Sequence, residues 1–316
     1  MANVALILAN PVAKRGEQAV REAVGKLAAA YQRQNRDVVV RYTEQDGARE
    51  AQIVSEFADQ AETIVAVGGD GTVRETVLAM TEAQRANTTI GFVPMGNANA
   101  LARETGIPHD DQDEAIKNAV HGQARQMDVG AINGQPKFLL MLDIGYFAHV
   151  VHRVAAIRKR RSTRWLYARG GDVLYGCVGA LTLLGPRTAQ VEVQPEDGEG
   201  FTSSSITIAN AAVYAKSGSF CPSADPSDGV LNFNAARSNR TARYAIAGMR
   251  GRPKPSSSRI GAAKRLQLRA VSAGFLCQVD GDPLVEKSVR ALLEKSDPHL
   301  LGGSPVLQFH PKHRRR

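Results

Sequence analysis

Apolar runs and polar breaks alternate along the first part of the chain in a repeating unit. Val4–Leu8 is an apolar run of strand length that stops at Asn10-Pro11. Glu17–Gln34 follows, with apolar positions at Val20, Val24, Leu27 and Tyr31 on one helical face. Val38–Tyr42 then predicts a strand and Ala48–Phe57 a helix. Ile64–Val67 with Thr72–Met80, and Thr89–Val93 with Asn99–Thr105, repeat the unit, and Ala115–His121 adds a helix. Strand alternating with helix predicts a parallel sheet with helices on its faces. After Gln126 the pattern changes. Met127–Ile132, Phe138–Ile144, Ala189–Val193, Ser203–Ala209, Val230–Asn234, Leu266–Ala270 and Gly274–Val279 predict strands with few helices between them. That is the pattern of an antiparallel, β-rich domain. The fold class is therefore α/β, with a doubly wound, mostly parallel N-terminal domain over residues 1–126 and a β-rich antiparallel second domain over 127–287.

Two places break this frame. Arg164–Leu184 is apolar and helical in texture and follows the basic run Arg158-Lys159-Arg160-Arg161. It suits either a helix packed on the second sheet or an apolar face resting on a bilayer. Arg252–Ser258, with two prolines and three serines, predicts an exposed loop.

Chemistry concentrates where two strands end. Ile64–Val67 runs into Gly68-Gly69-Asp70-Gly71-Thr72, which opens a helix. Glycines allow close backbone approach to a ligand, and a helix start presents free N–H groups that suit a phosphate. Asp70 in that turn would repel a bare phosphate, so it implies a Mg²⁺ ion or a protonated partner between them. The combination points to a nucleotide bound as its metal complex and to phosphoryl transfer. The same composition also suits an ordinary βα turn. Thr89–Val93 leads in turn into Pro94-Met95-Gly96-Asn97-Ala98-Asn99, again a glycine turn before a helix. Two such turns on neighbouring strands lie at the carboxyl edge of one sheet, where open α/β sheets bind ligands.

Composition narrows the function classes. The 316 residues are 43% hydrophobic and 22% charged, enough for two domains with cores. Cys177, Cys221 and Cys277 are widely spaced and suit a reducing compartment. The seven histidines show no metal spacing. No run approaches the roughly 20 apolar residues of a membrane span, and Val4–Leu8 is too short for a signal peptide. Net charge is +9, with excess in Arg158–Arg164, in Arg237–Arg265 and in His313–Arg316. Such patches attract an anionic membrane or nucleic acid. Aromatics are only 5%, and no helix-turn-helix or zinc-finger pattern appears, so specific nucleic-acid binding is not expected.

Six motifs in order resemble the diacylglycerol kinase catalytic-domain family, which includes bacterial diacylglycerol kinase-like enzymes and sphingosine kinase-like lipid kinases. They are Asn10-Pro11, Gly68–Glu75, Pro94–Arg103, Asp128-Val129-Gly130, Ser227–Val230 and Asp280-Gly281-Asp282. The resemblance runs from residue 4 to about residue 285. Two positions depart from the pattern: Asn97 stands where the family has threonine, and Asp282 where it usually has glutamate. The glycine run before the fifth motif is thinned to Lys216–Ser219.

The resemblance implies an ATP-dependent lipid kinase, with Mg-ATP between the domains. It places Asn10, Pro11 and the backbone of Val12, Ala13 and Lys14 on the nucleotide side, with Thr43 as a further contact. Gly68, Gly69, Asp70, Gly71, Thr72, Gly96, Asn97 and Asn99 would hold the phosphates. Asp70 would act through Mg²⁺ or a bridging water, and Glu75, in the first helical turn, is a catalytic or a capping residue. Asp282 is the implied general base, with Asp280 as its alternative and a plain hairpin turn as the bland one. Asp228, with the carbonyls of Asp225 and Val230, would bind a second Mg²⁺. Arg15, Arg103 and Asp128 are expected to cluster near the nucleotide.

The family pattern also returns a C-terminal segment, about 288–316 and including the strand Val306–Phe309, to the first domain. The substrate is a membrane lipid such as diacylglycerol. The setting is cytoplasmic, at the inner face of an anionic membrane met through the basic patches, and a homodimer stays open. The other readings are an NAD kinase-like phosphotransferase, which lacks here its later Thr-Gly-Ser-Thr-Ala loop, and a non-catalytic membrane-binding protein with a degenerate site.

Overall fold

The computed structural model describes residues 4–44, 48–160, 162–184, 190–215, 218–237, 240–271, 276–284, 300–301 and 306–309. Arg161, Lys216, Ser217, the start of the predicted strand at Gly274 and the terminal His313–Arg316 lie outside them. The chain forms two compact units. One runs to Asp128 and takes in the last strand; the other spans Val129 to Gly302.

The first unit runs β1 (Val4–Ala9), α1 (Glu17–Arg33), β2 (Asp37–Tyr42), α2 (Ala48–Phe57), β3 (Ala61–Gly68), α3 (Asp70–Ala79), α4 (Glu82–Asn87), β4 (Thr89–Pro94), α5 (Ala100–Thr105), α6 (Gln112–His121) and β5 (Gln123–Gln126). The second holds β6 (Gly130–Ile132), β7 (Gln135–Phe138), β8 (Met141–Gly145), α7 (Tyr146–Lys159), α8 (Arg164–Leu183), β9 (Val191–Pro195), β10 (Phe201–Ser203), β11 (Ser205–Ala209), β12 (Leu231–Ala236), α9 (Thr241–Met249), β13 (Ser258–Ala263), β14 (Leu266–Ala270), β15 (Cys277–Val279), β16 (Asp282–Leu284) and β17 (Leu300–Leu301). The last strand is β18 (Val306–Phe309).

In the first unit the sheet order is β2-β1-β3-β4-β18-β5. Every pair is parallel except β18 with β5. The central strands are apolar throughout because helices cover both faces. On one face Ala5, Ile7, Val65, Val67 and Val93 pack against Val20, Leu27 and Tyr31 of α1 and Ala115 and Ala119 of α6. Helix starts are set locally. Thr81 and Gln84 form a reciprocal capping box on α4, and the Asp111 carboxylate accepts from Asp113 and Glu114 at the start of α6.

In the second unit a six-stranded antiparallel sheet, β13-β12-β11-β8-β15-β16, has two dissimilar faces. One carries Leu142, Ile144, Ile206, Ile208, Leu231 and Phe233 and packs on Val191, Val193, Leu266 and Leu268 of the sheet β10-β9-β14. On the other side an aromatic cluster of Phe147, Phe220 and Tyr244, with Val178 of α8, joins the helices. β6, β7 and β17 form a small third sheet.

Several elements differ from the sequence pattern. The run Phe138–Ile144 is not one strand: β7 ends at Phe138 and β8 begins at Met141, because Leu139 and Leu140 turn their N–H groups to a carboxylate. Helix α7 was hidden because β8 passes into it through Gly145 alone, at φ +85°, where a Cβ would run into the Ser204 carbonyl. Helix α9 was likewise not expected. Ser257 and Ser258 are buried, and Ser258 opens β13 rather than ending an exposed loop. Helix α8 meets the core through Val178, whereas Val173 and Leu181, with Leu184 just past its end, are 71%, 63% and 85% exposed. Among the described residues no helix is long and apolar enough to cross a membrane.

Candidate active site

The chain leaves β1 toward β2 on one side and β3 on the other, so the strand order reverses at β1/β3. The crevice at the carboxyl ends of such a pair is where open α/β sheets take ligands. Asn10–Lys14 follow β1, Thr43 follows β2, Gly68–Thr72 end β3, and Gly96–Asn99 follow β4. Asn10 N–H donates to Val67 carbonyl, and Thr43 N–H to Ala9 carbonyl, each at 2.9 Å. The sheet ladder thus runs into the loops. The Asn10 side chain turns its own loop by accepting from Val12 N–H at 3.1 Å.

The two glycine loops are packed on each other. Met95 N–H donates to Gly68 carbonyl at 2.6 Å. A Cβ on Gly96 would lie 2.8 Å from Gly69 Cα and 2.7 Å from Asn99 Oδ1, so only glycine allows this approach. Asn99 takes the left-handed conformation at φ +47° and accepts from Gly96 N–H at 2.9 Å.

Asp70 joins the loops. Its carboxylate accepts Ala100 N–H at 3.1 Å and Leu101 N–H at 2.9 Å, capping α5 from another element. Burial raises the Asp70 carboxyl above its ordinary range, and the Leu101 and Ala100 N–H groups pull it back down. The carboxylate inferred from sequence to be bare, and so to need an ion, is therefore already engaged by backbone. Glu75 also differs from expectation. Helix α3 starts at Asp70, so Glu75 falls in its second turn, where it pairs with buried Arg74 at 2.7 Å.

The residues fit a nucleotide's phosphates. Thr43 is 4% exposed, and its hydroxyl has no partner among the described residues, so it is open to a ligand's donor or acceptor at the end of β2. A Cβ on Gly71 would meet open space at the start of α3. Lys14 Nζ donates to Asn97 Oδ1 at 2.7 Å, which ties the β1 loop to the β4 loop and holds a cation there. Only the Lys14 backbone was expected to matter; the family-divergent Asn97 was the available signal for its side chain. Arg15 donates to His109 carbonyl at 2.9 Å and Arg103 to Ala98 carbonyl at 3.1 Å, and neither bond involves Asp128.

The second unit carries the remaining candidates. Asp280 and Gly281 link β15 to β16 with φ of +48° and +89°, a two-residue hairpin turn. The Asp280 carboxylate accepts N–H from Leu139, Leu140 and Met141 at 2.8–2.9 Å. That occupies the Asp280 carboxylate; Asp282 follows the turn, partly exposed, at the start of β16. In the other loop, Asp225 accepts from Ser227 N–H and hydroxyl, and Asp228 from Val230 N–H at 2.9 Å, with Gly229 at φ +71°. Asp228 Oδ2 and the carbonyls of Asp225 and Val230 make an oxygen-only donor set, which fits a hard cation. Among the described residues no three His, Cys, Asp or Glu side chains converge on a metal position.

One further carboxylate lies outside the sequence motifs. Asp143, 0% exposed, accepts from Thr207, Tyr214 and Gln278, and burial pushes it up to about 6. Its signal was a lone polar residue in an apolar strand, as in Ile206-Thr207-Ile208 and Cys277-Gln278-Val279.

Comparison with known proteins agrees with this layout. The diacylglycerol kinase catalytic domain matches residues 4–132. A Pseudomonas aeruginosa protein described as "Probable lipid kinase YegS-like" is 28% identical over 300 residues, covering 94% of this chain and 96% of the relative. The diacylglycerol kinase of Bacillus subtilis is 40% identical over 72 residues, 23% of each chain. The crystal structure of a diacylglycerol kinase from Bacillus anthracis shares the fold, with a TM-score of 0.67 at 19% identity over 98% of this chain and 97% of that one. With the glycine loops, the β1/β3 crevice and the Asp280–Asp282 hairpin in place, the chain carries a diacylglycerol kinase catalytic domain over residues 4–132 and is similar along most of its length to probable lipid kinases.

Proposed function

We propose that this chain transfers the γ-phosphate of ATP to the hydroxyl of a membrane lipid such as diacylglycerol. The observation that carries the reading is the pair of glycine loops stapled by Asp70, with the Thr43 hydroxyl at the end of β2 unpartnered among the described residues. Phosphoryl transfer needs little covalent help from a protein; it needs fixed charge, fixed donors and one group to take the acceptor proton. In this reading the N–H groups of the loops and of the start of α3 bind the phosphates, with Lys14 adding positive charge. Asp282 takes the proton of the lipid hydroxyl as that oxygen attacks the γ-phosphorus, and ADP leaves. Asp70 keeps the two loops in register and is a positioning residue. Magnesium, held by Asp228 with the carbonyls of Asp225 and Val230, would supply charge neutralisation and loop order. The basic patches and the exposed apolar face of α8 hold the chain at an anionic membrane from the cytoplasmic side.

The test is transfer from γ-labelled ATP with Mg²⁺ to diacylglycerol, monoacylglycerol, a sphingoid base and an isoprenoid alcohol in mixed micelles, with NAD as soluble control. Labelled lipid that disappears in Asp282→Asn supports the reading. Label on NAD alone, or failure to bind ATP, overturns it.

A further inference from the structure

A row of polar side chains crosses the large sheet of the second unit on its helix-covered face. Register sets Asn234 opposite Thr207, Thr207 opposite Asp143, and Asp143 opposite Gln278. All four are at most 1% exposed. Polar groups at four adjacent core positions carry a desolvation cost, so their bonds call for an account. Asp143 is the centre. Thr207 hydroxyl donates to Oδ1, while Tyr214 hydroxyl, at 3.0 Å, and Gln278 Nε2 donate to Oδ2. With its proton directed at Asp143, Thr207 accepts in turn from Tyr244 hydroxyl at 2.9 Å. The carboxylate is thus met by three neutral donors.

The row continues out of the sheet through Gln278. A carboxylate only accepts, so it fixes which end of the Gln278 amide faces it: the NH₂ points to Asp143 and the carbonyl away. That carbonyl, Oε1, accepts Gly281 N–H at 2.6 Å. Gly281 is the second residue of the hairpin turn, and Asp282 is next. The turn is held on its other side by Asp280 and the Leu139–Met141 N–H groups.

We propose that Asp143 is a positioning residue for Asp282: its carboxylate orients the Gln278 amide, and Gln278 fixes the turn that presents Asp282. The proposal rests on the reading of Asp282 as the base. It gives a buried carboxylate that belongs to none of the six motifs a part in the reaction.

Gln278→Met and Asp143→Asn in the full chain test it, with hydrogen exchange over residues 277–284 and kinetics on dioleoylglycerol micelles with Mg-ATP. Both variants should speed exchange at Gly281 by on the order of tenfold. Both should lower kcat on the order of tenfold to a hundredfold, with KM for ATP within about twofold. The double variant should be no worse than the weaker single one. Wild-type exchange and kcat in Gln278→Met overturn the proposal, and a loss confined to the melting temperature makes Asp143 a purely structural anion. Should Asp143→Asn not fold, Gln278→Met decides alone, because it leaves two donors on the carboxylate. Should dioleoylglycerol accept no phosphate, the exchange readout decides. Full activity in Asp282→Asn overturns the base reading; loss there beside wild-type kcat in Gln278→Met overturns the positioning alone.

Discussion

Asp70 separates two accounts of the glycine-rich loop, one in which it contacts an ion and one in which it staples two loops together. Its carboxylate takes two backbone N–H groups from the start of α5, at 3.1 and 2.9 Å. Asp70→Ala leaves both donors without that acceptor. Asp70→Asn keeps one oxygen and sets an NH₂ against the other donor. A hydrogen bond to a charged group contributes about 1.5–3 kcal/mol, and a buried donor left unsatisfied costs about 1–3 kcal/mol. Burial of the charge offsets part of this, as the raised Asp70 pKa shows. The expected losses are about 1–2 kcal/mol for Asp70→Asn and about 3 kcal/mol for Asp70→Ala. Urea unfolding gives these directly, and calorimetric titration with ATP, with and without Mg²⁺, gives affinity. Stapling predicts that stability and Mg-free nucleotide affinity fall together, because the loops lose register. An Asp70→Asn protein with a wild-type urea midpoint and a loss of affinity seen only with Mg²⁺ would refute the stapling argument.

Other consequences are as direct. Gly96→Ala places a Cβ 2.8 Å from Gly69 Cα, so it should cost about 1–3 kcal/mol and weaken ATP binding. Gly25→Ala, which meets open space inside α1, should instead stabilise by up to about 1 kcal/mol, and the two melting temperatures check both signs. Asn97→Thr shortens the side chain that accepts from Lys14; a double-mutant cycle with Lys14→Met on ATP affinity should show coupling of about 0.5 kcal/mol or more, and strict additivity would remove the link. Burial pushes the Asp143 carboxyl up to about 6, above the usual carboxylate range, so the folded state keeps its proton over a pH range in which the unfolded chain releases it. Its contribution to stability is therefore fully present below about pH 4 and is lost as pH rises through about 6, by roughly 3 kcal/mol in all. Stability of the wild type minus that of Asp143→Asn, followed from pH 4 to 7, should fall by that order; a flat difference contradicts it.

The parallel half of the fold was legible because its signals are local. Each strand there is a short apolar run, each helix has a clear stripe, and glycine turns mark the carboxyl edge. The two loops carrying Gly68–Thr72 and Gly96–Asn99 were found for the same reason. Which atoms meet was not legible. Asp70 bonds to residues thirty positions later, and no local pattern distinguishes a carboxylate that caps a distant helix from one that faces an ion. Lys14 and Asn97 meet across eighty-three positions. In the second unit a helix starting directly at Gly145 has no polar boundary to announce it. The Asp143 row needs the register of four strands before its members become neighbours, although each alone is conspicuous as a polar residue between apolar ones.

The position of β18 has a bearing on how the chain is made. It pairs in parallel with β4 through Val306 and Leu307, and antiparallel with β5 through Val306–Phe309. The sheet that supports the glycine loops therefore has a gap between β4 and β5 until Val306–Phe309 has left the ribosome. During that time the intervening antiparallel unit has all its strands, while β4, which leads into the Gly96 loop, presents an unpaired edge. Closing the gap joins β18 to strands 180 to 217 positions earlier, a slow, non-local step. Nucleotide binding should thus be acquired only after the second unit has been made, and the exposed β4 edge is the point at which a nascent chain is most open to pairing with the wrong strand.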